Sequence, residues 1–174
     1  MTTTTTTTTM QRFADNGDGT VTDNQTGLQW EKKVAGSGCP HCVNDTYQWT
    51  STGTAPDGGA FTSFLNTLNG GTTGVGDCVS SPSQPGGSPQ TGGFNNHCDW
   101  RLPTLAELQT ILDCSFGNPC ISPIFGPTTG DDYWSSTSFA GAPTSAWVVE
   151  FDDGFVFGNS KGLVHFVRAV RGGS

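Results

Sequence analysis

The residues best suited to chemistry are the cysteines, and the tightest pair is Cys39-Pro40-His41-Cys42. Two thiols with two residues between them have the spacing of thiol oxidoreductases and of half a zinc site. The flanks favour neither. A redox pair of that kind follows a buried strand and opens a helix, whereas this one lies between Gly36-Ser37-Gly38 and Asn44-Asp45-Thr46. No second pair repeats the spacing to complete a zinc tetrad. The expected product is a small structural disulfide loop. Cys114 and Cys120 are expected to close a second loop. Cys78 and Cys98 are expected to tie down the Gly-, Ser-, Pro- and Thr-rich stretch from 71 to 96. An even set of six cysteines implies disulfides, hence export to an oxidising compartment.

A second candidate is Asp15-Asn16-Gly17-Asp18-Gly19, whose oxygens invite a calcium reading. A loop of the EF type needs ligands at its first, third and fifth positions, and counting from Asp15 places Gly17 and Gly19 in those slots. A hairpin turn is expected instead, on the strength of Asn-Gly and Asp-Gly. No metal and no cofactor is expected. Lys and Arg number 7 against 15 Asp and Glu, a net charge of −8 with pI near 4.4. Nucleic acid and heparin-like polymers need basic surface and are poor partners for such a chain. No apolar run approaches the roughly 18 residues of a membrane span, so membrane insertion is not expected. Met1 is followed by threonines instead of a charged and apolar leader, so either a leader has been removed or the start of the chain has been altered, and the inference of export rests on the composition and the cysteines.

The elements that would position these residues centre on Asp99-Trp100-Arg101-Leu102-Pro103-Thr104 and the segment after it. Pro103 holds Leu102 extended. Thr104 and Glu107 form a capping box, and Leu105, Leu108, Ile111 and Leu112 recur at helical spacing, which predicts a helix over 104–113. Trp100 and Arg101 are expected to serve as a core ring and a structural ion pair. Phe61, Phe64, Leu65 and Leu68 predict another helix over 60–69, stopped at Asn69-Gly70-Gly71. Leu28-Gln29-Trp30 reads as a strand. From Asp131 onward the pattern becomes Tyr133-Trp134-Ser135-Ser136, then Ala146 to Phe151, Phe155-Val156-Phe157 and His165 to Arg171, an expected antiparallel meander. The polar segment from Gly158 to Gly162 is expected to be an exposed contact loop. Trp134, Trp147, Asn159, Lys161 and His165 make up the candidate contact surface.

Thr2 to Thr9 is an unbroken threonine run with β propensity but no alternation. It is read in three ways: a strand donated to a neighbouring subunit through Thr2, Thr4, Thr6 and Thr8, a tag or placeholder, or an ordinary tail.

Taken together, the residues Phe13 to Asp23, Thr26-Gly27-Leu28-Gln29-Trp30, Asp99 to Thr104 with Glu107-Leu108, Tyr133-Trp134-Ser135-Ser136-Thr137 and Phe166-Val167-Arg168-Ala169-Val170-Arg171-Gly172 resemble one family. It is named after the C-terminal domain of Legionella collagen-like protein, and the match runs in order over residues 12 to 173. The resemblance implies a C-type-lectin-like α+β fold, an exported bacterial location and roles in adhesion. It also implies that the C-terminal strands and loop are a variable surface in some relatives. The sulphated-polysaccharide binding associated with the namesake needs basic surface, which this composition lacks. The motifs of calcium-dependent lectins are missing too. Arg171-Gly172-Gly173-Ser174 is similar to the ending of formylglycine-generating enzymes, but the last cysteine is Cys120, too early to supply their thiols.

The expected fold is therefore α+β and C-type-lectin-like, with two helices packed on antiparallel strands, loop-rich and disulfide-stapled. Residues 1–10 form a low-complexity strand or tail and residues 11–174 a single domain. The expected function is that of a non-enzymatic extracellular structural or adhesive domain on the bacterial cell surface. It would assemble with itself, as a filament subunit, through the N-terminal segment. The alternative is a monomeric module that binds a surface glycan or protein receptor through the C-terminal strands and loop. Thiol oxidoreductase chemistry at Cys39 and Cys42 is the third and weakest reading.

Overall fold

Asn-Gly and Asp-Gly turn the chain where the pattern predicts. In the computed structural model, which describes residues 11–70 and 93–172, β1 (Phe13–Asp15) pairs antiparallel with β2 (Thr20–Asp23). Gly17 and Gly19 take φ of 74° and 87°, a region costly for side-chain-bearing residues. Asp15 Oδ1 accepts from Gly17 N at 3.0 Å and Asp18 Oδ1 from Thr20 N at 3.0 Å. The carboxylates that a cation loop would need thus close the turn itself. β3 (Leu28–Glu31) extends this sheet, and the last strand, β9 (Val170–Gly172), completes it in the order β1-β2-β3-β9. Thr2, Thr4, Thr6, Thr8 and Cys78 lie outside the described residues.

A second, five-stranded sheet has the order β4-β8-β5-β6-β7. Its strands are β4 (Thr46–Gln48), β5 (Asp132–Ser138), β6 (Ser145–Glu150), β7 (Val156–Ser160) and β8 (Val164–Phe166). β5, β6 and β7 form the expected antiparallel meander. The expectation fails at the next step. β8 crosses to the far side of β5 and pairs with it in parallel, and the expected strand from His165 to Arg171 breaks into β8 and β9, one in each sheet. The break falls at Val167-Arg168-Ala169, all three buried. Arg168 explains it, because Nη1 donates to Glu31 O at 2.8 Å and Phe125 O at 2.9 Å, and Nη2 to Thr128 Oγ1 at 2.8 Å. The two terminal nitrogens of this always-charged guanidinium are thus paired in the interior, while the buried Nε has no hydrogen-bond partner among the described residues.

The helical content is small and differs in detail from the expected segments. Ala60–Leu65 is π-helical and runs into a single turn, α1 (Asn66–Leu68). Phe64, Leu65 and Leu68 point inward as their spacing requires. α2 (Leu105–Thr110) starts at the capping box, with Thr104 Oγ1 accepting from Glu107 N and Glu107 Oε2 from Thr104 N at 2.7 Å. It ends early because Ile111 leaves helical geometry, and Asp113 N turns instead to Cys120 O at 2.9 Å. The Cys114–Cys120 disulfide closes that loop. Trp100 is buried with Nε1 on Phe94 O, and Arg101 grips both oxygens of Glu107 at 2.7 and 2.6 Å.

Alternation along β5 and β6 sends neighbours to opposite sides. Trp134 and Val148 join one core with Trp49, Phe64, Leu68 and Trp100. Tyr133 and Val149 join another with Trp30, Leu108, Phe125 and Phe151. The larger sheet is therefore buried on both faces along these strands, and only its rim is left to the surface. The architecture is α+β with strands predominating.

Candidate binding surface

The β6–β7 hairpin and the connection from β7 to β8 carry most of the contact residues expected from the sequence, and they sort them sharply. Two are corrected. Residues 156–160 are strand at the outer edge of the sheet, and Lys161, expected in an exposed loop, is 2 % exposed. Its ammonium donates to Thr54 O at 2.9 Å and Ser138 Oγ at 2.8 Å and sits 3.8 Å from the Trp49 ring centroid. Its backbone O accepts from Trp49 N and Thr50 N, so the residue fastens the 49–57 loop to the sheet. Burial holds this ammonium below the ordinary lysine pKa. Trp134 is fully buried, with its indole N–H donated to Tyr47 O at 2.9 Å. Neither residue reaches a partner.

The other three stay nearer the surface. Trp147 is half-buried, edge-on to Phe139 at 4.9 Å. Asn159 and His165 are brought together, Nδ2 to Nε2 at 3.1 Å, and His165 Nδ1 lies 3.5 Å from Asp132 Oδ2. With the amide donating, Nε2 is the unprotonated nitrogen, and Nδ1–H faces the carboxylate. The His165 ring stands edge-on to Trp134 at 4.6 Å. Desolvation pulls the imidazole below its ordinary pKa, against the pull of Asp131. Asp132 is shifted the other way, pushed up by desolvation and by Asp131. The Asp131-Asp132 pair marks a chain reversal, and the pattern alone gave no sign that one of them would meet His165.

Around this cluster the hairpin is both apolar and acidic. Phe155 is 67 % exposed, Phe157 37 %, Leu163 49 % and Val164 55 %. Glu150 is joined to Phe155 through its backbone N–H. Desolvation raises its carboxyl above the ordinary value, aided by repulsion from Asp153, Asp132, Asp152 and Asp131. The surface thus offers aromatic rings beside a field of carboxylates.

The Cys39-Pro40-His41-Cys42 segment is a closed disulfide loop, and every cysteine among the described residues is disulfide-bonded. Its role is in packing. His41 Nδ1 lies 2.9 Å from Glu31 Oε1, and Lys33 Nζ reaches the same oxygen at 2.9 Å and Pro40 O at 3.4 Å. Ala169 N donates to Glu31 Oε2 at 2.9 Å. Burial opposes the charge on Glu31, yet Lys33, His41 and the Ala169 N–H together hold its carboxyl below the ordinary value. Glu31, Lys33 and Arg168 were not among the expected site residues. The signal that could have found them is a charge set in an apolar stretch, as in Trp30-Glu31 and Val167-Arg168-Ala169.

Among the described residues no three His, Cys, Asp or Glu side chains are grouped to hold a metal ion, and no helix is long and apolar enough to cross a membrane. Comparison with curated proteins gives no match. Residues 19–171 match the Lcl C-terminal domain, a span that takes in both sheets from β2 onward, the disulfide loops and the β6–β7 hairpin. The chain belongs to the Lcl C-terminal domain family.

Proposed function

We propose that this chain is a non-enzymatic adhesive domain of the bacterial surface that binds a protein receptor through a rim made of its β6–β7 hairpin and the connection from β7 to β8. One observation carries the reading: Phe155, Phe157, Leu163 and Val164 stay exposed within ten consecutive residues. Two exposed rings, Phe155 and Phe157, on the uncovered edge of the β6–β7 hairpin favour coverage by a partner. Glu150, Asp152 and Asp153 beside it favour a basic partner surface over an acidic glycan. Family membership supports the bacterial-surface setting, and the disulfides support an extracellular one. The pairing of early strand β3 with the last strand, β9, supports a C-type-lectin-like reading of the fold. Beads coated with the protein test the proposal on cultured cell layers. The Phe155→Ser/Phe157→Ser variant is expected to lose adherence several-fold at an unchanged melting temperature. Undiminished adherence would discard the hairpin as the contact surface.

The filament reading is favoured by a separate observation. β1 is outermost in its sheet among the described residues, so it has an edge to which a strand of another copy could add. Removal of residues 1–10 tests it, since assembly unchanged by the deletion would take that segment out of the mechanism.

A further inference from the structure

A cleft of about 590 Å³ opens between the Cys39–Cys42 loop, the start of β4 and the helical segment 60–68. That volume lies in the range of small-molecule sites. Its walls are fixed. Asp45 accepts the Gly38 N–H with both carboxylate oxygens, at 2.9 and 2.8 Å, Asn44 N bonds Gly36 O at 3.1 Å, and the disulfide closes the turn between them. Tyr47 is braced by Phe64 at 5.5 Å, and Thr67 is anchored to Ser63 O at 2.8 Å. A ligand would meet a preorganised surface, which spares it the cost of ordering the walls.

The chemistry of the lining selects a class of ligand. The polar ends of the Asn44, Thr46, Tyr47 and Ser63 side chains make no hydrogen bond within the described residues, and all four line the cleft. They supply an amide and three hydroxyls, groups that both donate and accept. Tyr47 also brings a half-buried aromatic ring, whose negative face suits polarised C–H groups. The lining contains Asp45 and no Lys, Arg or His. Lys33, 4.6 Å from the Phe64 ring centroid, is 3 % exposed and bound to Glu31, so it is not free to neutralise an anion. Phosphate, sulphate and uronate groups would therefore go unpaired here. We infer that this cleft is a binding site for a neutral saccharide, with hydroxyls on Asn44, Ser63 and the Tyr47 phenol and a C–H face against the Tyr47 ring. Its wall β4 pairs with β8, but the cleft shares no lining residue with the rim that carries Phe155 and Phe157.

Amide chemical-shift mapping of the full chain tests this with methyl glucoside, methyl galactoside, methyl mannoside, maltose and lactose as probes, and glucuronate and glucose 6-sulphate as anionic controls. At least one neutral probe is expected to shift the amides of Gly38, Asn44 to Tyr47, Ser63 and Thr67 in a saturable way, with the anionic controls weaker. Asn44→Ala/Ser63→Ala is expected to weaken that binding about tenfold, as losing two hydrogen bonds would. Tyr47→Phe keeps the ring and loses only the hydroxyl's share. Phe155→Ser/Phe157→Ser leaves the shifts in place, which separates this site from the adhesive rim. The proposal is overturned by no saturable shift from any neutral probe, by shifts that map elsewhere, or by anionic controls that bind as well.

Discussion

His165 shows how one side chain ties the surface to pH. Its Nε2 accepts from Asn159, and protonation would set that amide donor against a second N–H. Asp131 and Asp132 face the ring and favour its charged form, but desolvation outweighs them and the folded-state pKa falls below the ordinary value. For a histidine shifted downward the unfolded chain binds the proton more readily, so stability falls as pH drops through about 6.5 and toward the folded value. The paired carboxylates act lower. Asp23, held down by Arg12 against its burial, and Glu107, held down by Arg101, lose their contribution only beneath the ordinary carboxylate range of about 4. Thermal midpoints are therefore expected to decline in two stages on acidification, the upper one offset in part by the raised carboxyls of Asp132 and Glu150, and His165→Gln is expected to remove that upper decline. An unchanged upper stage in that variant would assign it to another group.

At the level of elements, α2 concentrates several stabilising contacts in six residues. Thr104→Ala removes an N-cap and is expected to cost about 1 kcal/mol. Glu107→Ala should cost more, because the same carboxylate caps Thr104 N and holds Arg101. Urea unfolding of the two variants checks the order. This helix start was legible in the sequence because Thr104 and Glu107 act locally, three residues apart, and the β1–β2 turn was legible for the same reason. The fate of His165 to Arg171 was not. Its alternation suits one strand, and only the distant carbonyls of Glu31 and Phe125 explain why Arg168 interrupts it. The candidate surface followed the same division. Asn159 and His165 meet six residues apart across the β7–β8 connection, whereas Lys161 is buried by Thr54, Ser138 and Trp49, partners at long sequence distance that composition does not reveal.

Across the whole molecule, the Glu31 carboxylate is the point where the parts converge. It receives Lys33, the His41 of the disulfide loop and the backbone of Ala169 between the two sheets. Glu31→Gln would leave Lys33 buried without its counter-charge, a loss of about 3–5 kcal/mol. Adding Lys33→Met should recover part of it, since a neutral pair of similar size avoids the desolvation of two ions. Denaturant midpoints of the single and double variants measure the recovery, and a double variant no more stable than the single would show that the ammonium is not the uncompensated group.

The placement of the first and last strands has a mechanical result. β1 and β9 are the two margins of one four-stranded sheet, and β9 is held to β3 by an antiparallel ladder. A tether at either end of the described chain would pull on that sheet first. Tension would meet the β3–β9 ladder and the Arg168 clamp before it reached the larger sheet, leaving the hairpin with Phe155 and Phe157 unloaded and its shape intact under drag.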